Sequence, residues 1–164
     1  MRSREIPYCP HCSREMNVVG SRNRKSTGLD GAEKTLIIRR LRCDSCEKIH
    51  HELPDFIVPY KHYDAQVIEN ILKGSGKPAE SCSPCEDSTA RRTIRWFSLL
   101  LPYFEAAIRS LIEMNRYHNE LVLELSELLP LSASRLPAGW LVRLVRALVN
   151  SGRWLQTRLA VHVH

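Results

Sequence analysis

Cys9-Pro10-His11-Cys12 and Cys43-Asp44-Ser45-Cys46 decide how the N-terminal third of this chain folds. Two residues between the cysteines let a tight turn aim both sulfurs at one point. Four thiolates from two such turns form a soft donor set that suits tetrahedral zinc, with Zn–S near ~2.3 Å. An ion held there closes the long intervening loop, which is where such a link helps a small module most. The alternative is a pair of buried or disulfide-bonded cysteines. Arg2, Arg4 and Glu5 lead into no apolar run, so the start of the chain does not read as a secretory leader. The expectation is a reducing, cytoplasmic setting, in which such cysteines bind metal rather than each other.

Outward from the two knuckles, the pattern is that of a zinc ribbon over residues 5–60. Met16 to Gly20 reads as a short strand. Ser21 to Lys34 is polar and basic, with Arg22, Arg24 and Lys25 clustered, and is expected as an exposed loop or hairpin tip. Thr35 to Arg42 is β-branched and apolar and reads as a strand entering the second knuckle. Lys48 to Leu53 is expected as a third strand, and Pro54 and Pro59 bracket an extended exit. A module this small has little core, so the metal supplies much of its folding energy. His11, His50 and His51 are expected as packing or surface residues, because four cysteines already complete a site. Four thiolates leave an excess of negative charge that Arg14, Arg42 and Lys48 are placed to offset.

Residues 61–98 read as a helix-turn-helix-like segment. Asp64 is expected to N-cap a helix over 65–73 whose apolar face is Val67, Ile68, Ile71 and Leu72, ending at Gly74 and Gly76. A short second helix is expected between Pro78 and Cys85. Asp87 or Ser88 then caps a helix with Arg91, Arg92 and Arg95 on one face and Ile94 and Phe97 on another. A short-capped basic helix after a helix and a turn fits a helix-turn-helix reader. An ordinary amphipathic helix with a solvated basic face fits equally.

From Leu99 to the end the chain is apolar and helical. Pro102 interrupts a helix or opens a new one. Tyr103 to Leu129 carries Phe104, Ile108, Leu111, Leu121, Leu125 and Leu128 at near-helical spacing, with a break near Tyr117-His118-Asn119. Pro130 and Pro137 bound a connection. A helix led by Gly139-Trp140 has the stripe Leu141, Leu144, Val145 and Leu148 and stops at Asn150-Ser151-Gly152. Arg153-Trp154-Leu155 is expected to begin a last short helix. The fold class is thus α+β, a small β zinc ribbon followed by a mainly helical region over 99–164.

Composition narrows function less than the cysteines do. The 164 residues carry a formal net charge of +6, which makes a polyanion a plausible partner without requiring one. No apolar run is long enough to cross a bilayer. Cys82-Ser83-Pro84-Cys85 has the spacing of a thioredoxin-like redox pair, but no hydrophobic strand precedes it and no βαβ pattern surrounds it. Two thiols in a turn is the expectation there. No acid/base or nucleophile set assembles, so an enzyme is not expected.

Cys43 to Tyr60, with His-His-Glu-Leu-Pro-Asp-Phe-Ile-Val-Pro-Tyr closing it, resembles the N-terminal zinc ribbon of bacterial insertion-sequence transposases. The Asp87-Ser88-Thr89 to Arg95-Trp96-Phe97 run is similar to the recognition helix that follows it there. The whole chain resembles a bacterial family of transposase-like zinc-ribbon proteins, convincingly over residues 8–97. The resemblance implies DNA binding, with Cys9, Cys12, Cys43 and Cys46 as ligands of one structural Zn2+ and Arg91, Arg92 and Arg95 on the DNA-facing helix. Ser88 at the start of that helix, and Arg22, Arg24 and Lys25 on the ribbon, are the further candidate DNA contacts. Ser13 and Glu47 depart from the pattern, standing where many ribbons have glycine, which implies some backbone strain. Strand transfer needs separated acidic residues on an RNase-H-like sheet, whereas the pattern after residue 98 is helical, so the implied protein is a recognition module without the nuclease. A zinc-ribbon adaptor that binds a protein partner, or a second copy, through its C-terminal helices is the rival expectation.

Overall fold

The computed structural model describes residues 6–74, 84–114, 136–154 and 160–163. The chain is α+β. Strands β1 (Asn17–Thr27), β2 (Glu33–Arg42) and β3 (Ile49–Pro54) are followed by helices α1 (Ala65–Lys73), α2 (Asp87–Glu113) and α3 (Trp140–Asn150), then by strand β4 (Ala160–Val163). The sheet order is β1-β2-β3-β4, antiparallel except for the parallel pairing of β3 with β4.

The first correction to the sequence reading concerns Ser21 to Thr27. These residues continue β1 rather than forming a loop, pairing Arg22 with Ile38 and Arg24 with Leu36. A regular hairpin lets both strands satisfy their backbone groups, so even a polar stretch extends the ladder at the edge of the sheet. The real turn is Gly28 to Ala32. There Gly31 adopts φ 73°, and the Ala32 amide donates to Asp30 Oδ1 at 3.0 Å. A bulge between Val18 and Gly20 shifts the register soon after the chain leaves the first knuckle.

The sheet has two small cores, one on each face. Cys9, Met16, Leu41 and Cys43 are buried together around the knuckles. Ile38, Leu53 and Ile57 are buried under the segment that leaves the ribbon. On the knuckle face Arg39 forms a bidentate ion pair with the buried Glu52 across β2 and β3. The exit segment is a pair of turns rather than an extended strand. Arg24 fastens it, donating from Nη2 to the carbonyls of Val58 at 2.9 Å and Lys61 at 2.8 Å.

The larger core joins α1, α2 and α3. Val67, Ile68, Ile71 and Leu72 of α1 and Leu141, Leu144, Val145 and Leu148 of α3 are all buried, as their helical spacing requires. Aromatic rings fill the centre, with Phe97 and Trp140 centroids 5.2 Å apart and Phe104 stacked on Trp154 at 5.6 Å. Asp64 takes the N-cap backbone position of α1, but its carboxylate accepts from Ser26 instead of capping the helix. The cap residue of α2 is Glu86, not Asp87 or Ser88.

Pro102 neither interrupts nor opens a helix. It lies inside α2, which crosses residue 98 without a break. The missing proline N–H forfeits one backbone bond at an exposed position, while Phe97, Phe104 and Ile108 on either side are buried in one core. The end of the chain also differs from expectation. Arg153 and Trp154 are not helical, and Ala160–Val163 forms β4. The expected break at 117–119, the apolar residues from Leu121 to Leu128, Cys82, and all but the end of the expected short helix up to Cys85 lie outside the described residues.

Candidate functional site

Each knuckle is built by its own backbone. In the first, Cys9 N–H donates to Arg14 O and Ser13 N–H to Cys9 O, both at 2.8 Å. In the second, Cys43 N–H donates to Lys48 O at 3.0 Å. The residue after each outer cysteine turns left-handed: Ser13 has φ 57° and Glu47 φ 54°. The strain that the missing glycines implied is therefore present at both positions. Side chains tie the knuckles together, with Arg14 Nη1 donating to Ser45 Oγ at 3.0 Å and Asn17 Nδ2 to Asp44 Oδ2 at 2.7 Å.

The result brings Cys9, Cys12, Cys43 and Cys46 together with all four sulfurs within 4.8 Å of one another. Cys12 and Cys43 are 3.5 Å apart, and Cys9 and Cys46 4.0 Å. Tetrahedral ligation at ~2.3 Å demands sulfur separations near ~3.8 Å, so the quartet fits one ion. The thiols also show why a cation suits them. Hydrogen bonding to the Arg14 backbone is the largest influence bringing Cys12 down to about 7, whereas its bond with Cys12 is the largest pushing Cys46 up to about 12. Burial pushes Cys9 up. Neighbouring sulfurs cannot all ionise without a positive charge among them, and a bound metal ion supplies that charge.

His50 is the residue at this centre that sequence reasoning set aside. It is buried, pairs with Leu41 across β2 and β3, and brings Nε2 to 3.7 Å from Cys9 Sγ. Burial first, then electrostatic repulsion from His11, Lys48 and His51, brings its imidazole down to about 4. The signal was its register: on an antiparallel strand, the residue opposite Leu41 shares the knuckle face.

The basic candidates separate into two groups. Arg91, Arg92, Arg95 and Ser88 are exposed in the first turns of α2, while Thr93 and Phe97 are buried on its other side. Arg92 Nε donates to Ser88 O at 3.2 Å. On β1, Arg22 is exposed, but Arg24 is half-buried against the exit turns and Lys25 pairs with Glu33 at 2.7 Å. The expected flexible basic loop is therefore a strand with one of its three cations engaged in structure and another in an ion pair. Lys61 Nζ lies 3.9 Å from the Trp96 ring centroid and so covers the inner edge of the α2 face. Cys85 is half-buried and outside the metal cluster. Among the described residues no helix is long and apolar enough to cross a membrane.

No curated protein and no solved structure matches the chain. Residues 9–96, more than half of its length, match the family model described as Domain of unknown function (DUF6431), and the chain belongs to that family.

Proposed function

We propose that the protein is a zinc-dependent DNA-binding module that acts by recognition rather than catalysis. Zinc is the ion that best suits four thiolates in a tetrahedron, since it needs no redox chemistry and imposes no other geometry. The observation that carries the DNA reading is the exposure of Arg91, Arg92 and Arg95 along the start of α2, opposite a buried apolar side. Guanidinium groups so displayed can contact guanine O6 and N7 or hold phosphate. Arg22 offers a further phosphate contact from β1. The resemblance to insertion-sequence transposase ribbons points the same way.

The test is a binding titration on duplex DNA at several salt concentrations. If Arg92 reads a base, Arg92→Ala costs about 1–3 kcal/mol at the preferred site and relaxes one position. If the three arginines hold phosphate, replacing all of them lowers the slope of log K against log salt by roughly 0.9 each. Unchanged affinity and slope would remove the DNA reading. Leu99, 69% exposed on the same helix, favours the second reading, a protein partner on α2. A salt-insensitive complex that Leu99→Ser weakens would establish it.

A further inference from the structure

We propose that His50 is a fifth functional member of the metal centre, donating an Nε2–H···S hydrogen bond to the Cys9 thiolate and so offsetting its negative charge and strengthening the hold on the ion. The inference rests on the reading of the four cysteines as ligands. Its Nε2 lies 3.7 Å from Cys9 Sγ, within reach for a sulfur acceptor. A metal-bound thiolate has no proton to give, so it meets the imidazole only as an acceptor. That requires the Nε2–H tautomer. The other nitrogen, Nδ1, is buried with no hydrogen-bond partner among the described residues. A bare lone pair there costs less than a buried N–H without an acceptor. His50 is not itself a ligand, because four sulfurs already complete the tetrahedron.

The centre needs such a donor at its buried sulfurs, Cys9 and Cys43, and His50 reaches Cys9. Four thiolates around one divalent ion carry excess negative charge. Cys12 is exposed, so water can solvate its sulfur, but Cys9 and Cys43 are buried. Arg14, beside the first knuckle in sequence, bonds through its guanidinium to Ser45 Oγ. The β2–β3 register instead delivers a neutral donor from inside the fold, opposite Leu41. Residues that hydrogen-bond to metal ligands fix their orientation and basicity, and losing one weakens metal binding by about 10–100-fold.

The direct test is nitrogen-15 NMR of the His50 ring in the full-length, zinc-loaded protein. The expected result is a neutral Nε2–H tautomer; an Nδ1–H tautomer or a zinc-coordinated nitrogen in a zinc-loaded chain would overturn the proposal alone. A chain that takes up no zinc would overturn both this proposal and the metal reading. Cobalt substitution adds a signature that a purely structural role would not move. His50→Leu should shift the sulfur-to-cobalt charge-transfer band to lower energy and weaken zinc in chelator competition by about 10–100-fold. His50→Gln, whose amide keeps an N–H donor, should restore both. Identical spectra and affinities in wild type and His50→Leu would contradict the proposal.

Discussion

At the residue scale, the two knuckles depend on backbone conformations that their residues disfavour. Ser13 and Glu47 both sit at positive φ, where a side chain costs roughly 1–2 kcal/mol and glycine costs none. Part of that gain is lost because glycine also loosens the unfolded chain. Glu47→Gly should therefore raise stability by about 0.5–1 kcal/mol, measured by denaturant unfolding of the metal-loaded protein. A destabilised variant would mean that the Glu47 side chain makes an unrecognised contact. The need for this conformation was implied by the resemblance to zinc ribbons, in which glycine commonly stands at both positions. The part played by His50 was not, because register is fixed by pairing over the whole hairpin and by no local motif. Arg24 teaches the same lesson: its charge was evident, but its burial against the carbonyls of Val58 and Lys61 depends on a segment more than thirty residues away.

At the scale of elements, apolar periodicity identified α1 and α3 and their buried faces, since burial follows helical spacing directly. Polar strands and interrupted helices were harder. The second half of β1 has no apolar alternation because its inward positions are the polar Arg24 and Ser26, bonded to Val58, Lys61 and Asp64, and α2 runs through Pro102 because the aromatic core holds both halves. The start of α3 at Gly139-Trp140 was legible, but the group that satisfies its first amides was not. Its amides at Gly139 and Leu141 donate to the buried carboxylate of Glu69 on α1, at 3.0 and 2.8 Å. That contact caps the helix from a distance and favours negative charge at its N-terminus. Glu69→Ala should cost about 1–3 kcal/mol in chemical denaturation, since it leaves buried donors unmatched as well as opening a small void. A loss near zero would show that the contact contributes nothing to the helical core.

At the scale of the whole molecule, the ribbon and the helical core have separate apolar centres but are stitched together. Thr27 pairs with Tyr63, β4 lies beside β3, and a Cβ at Gly152 would come within 3.7 Å of the His11 ring. The helices nevertheless bury far more apolar surface than the knuckles, and their core does not include a cysteine. Chelation should therefore abolish hydrogen-exchange protection in β1 to β3 and leave α2 and α3 protected; simultaneous loss everywhere would show one cooperative unit. Lowering pH should release the ion, because protons compete for every thiolate. The account turns on whether one ion sits among four sulfurs, and zinc K-edge X-ray absorption on the purified full-length protein tests that most directly. The prediction is one zinc per chain with four sulfurs at ~2.3 Å. Absence of stoichiometric metal, or a first shell containing nitrogen or oxygen in place of any of the four sulfurs, would contradict it.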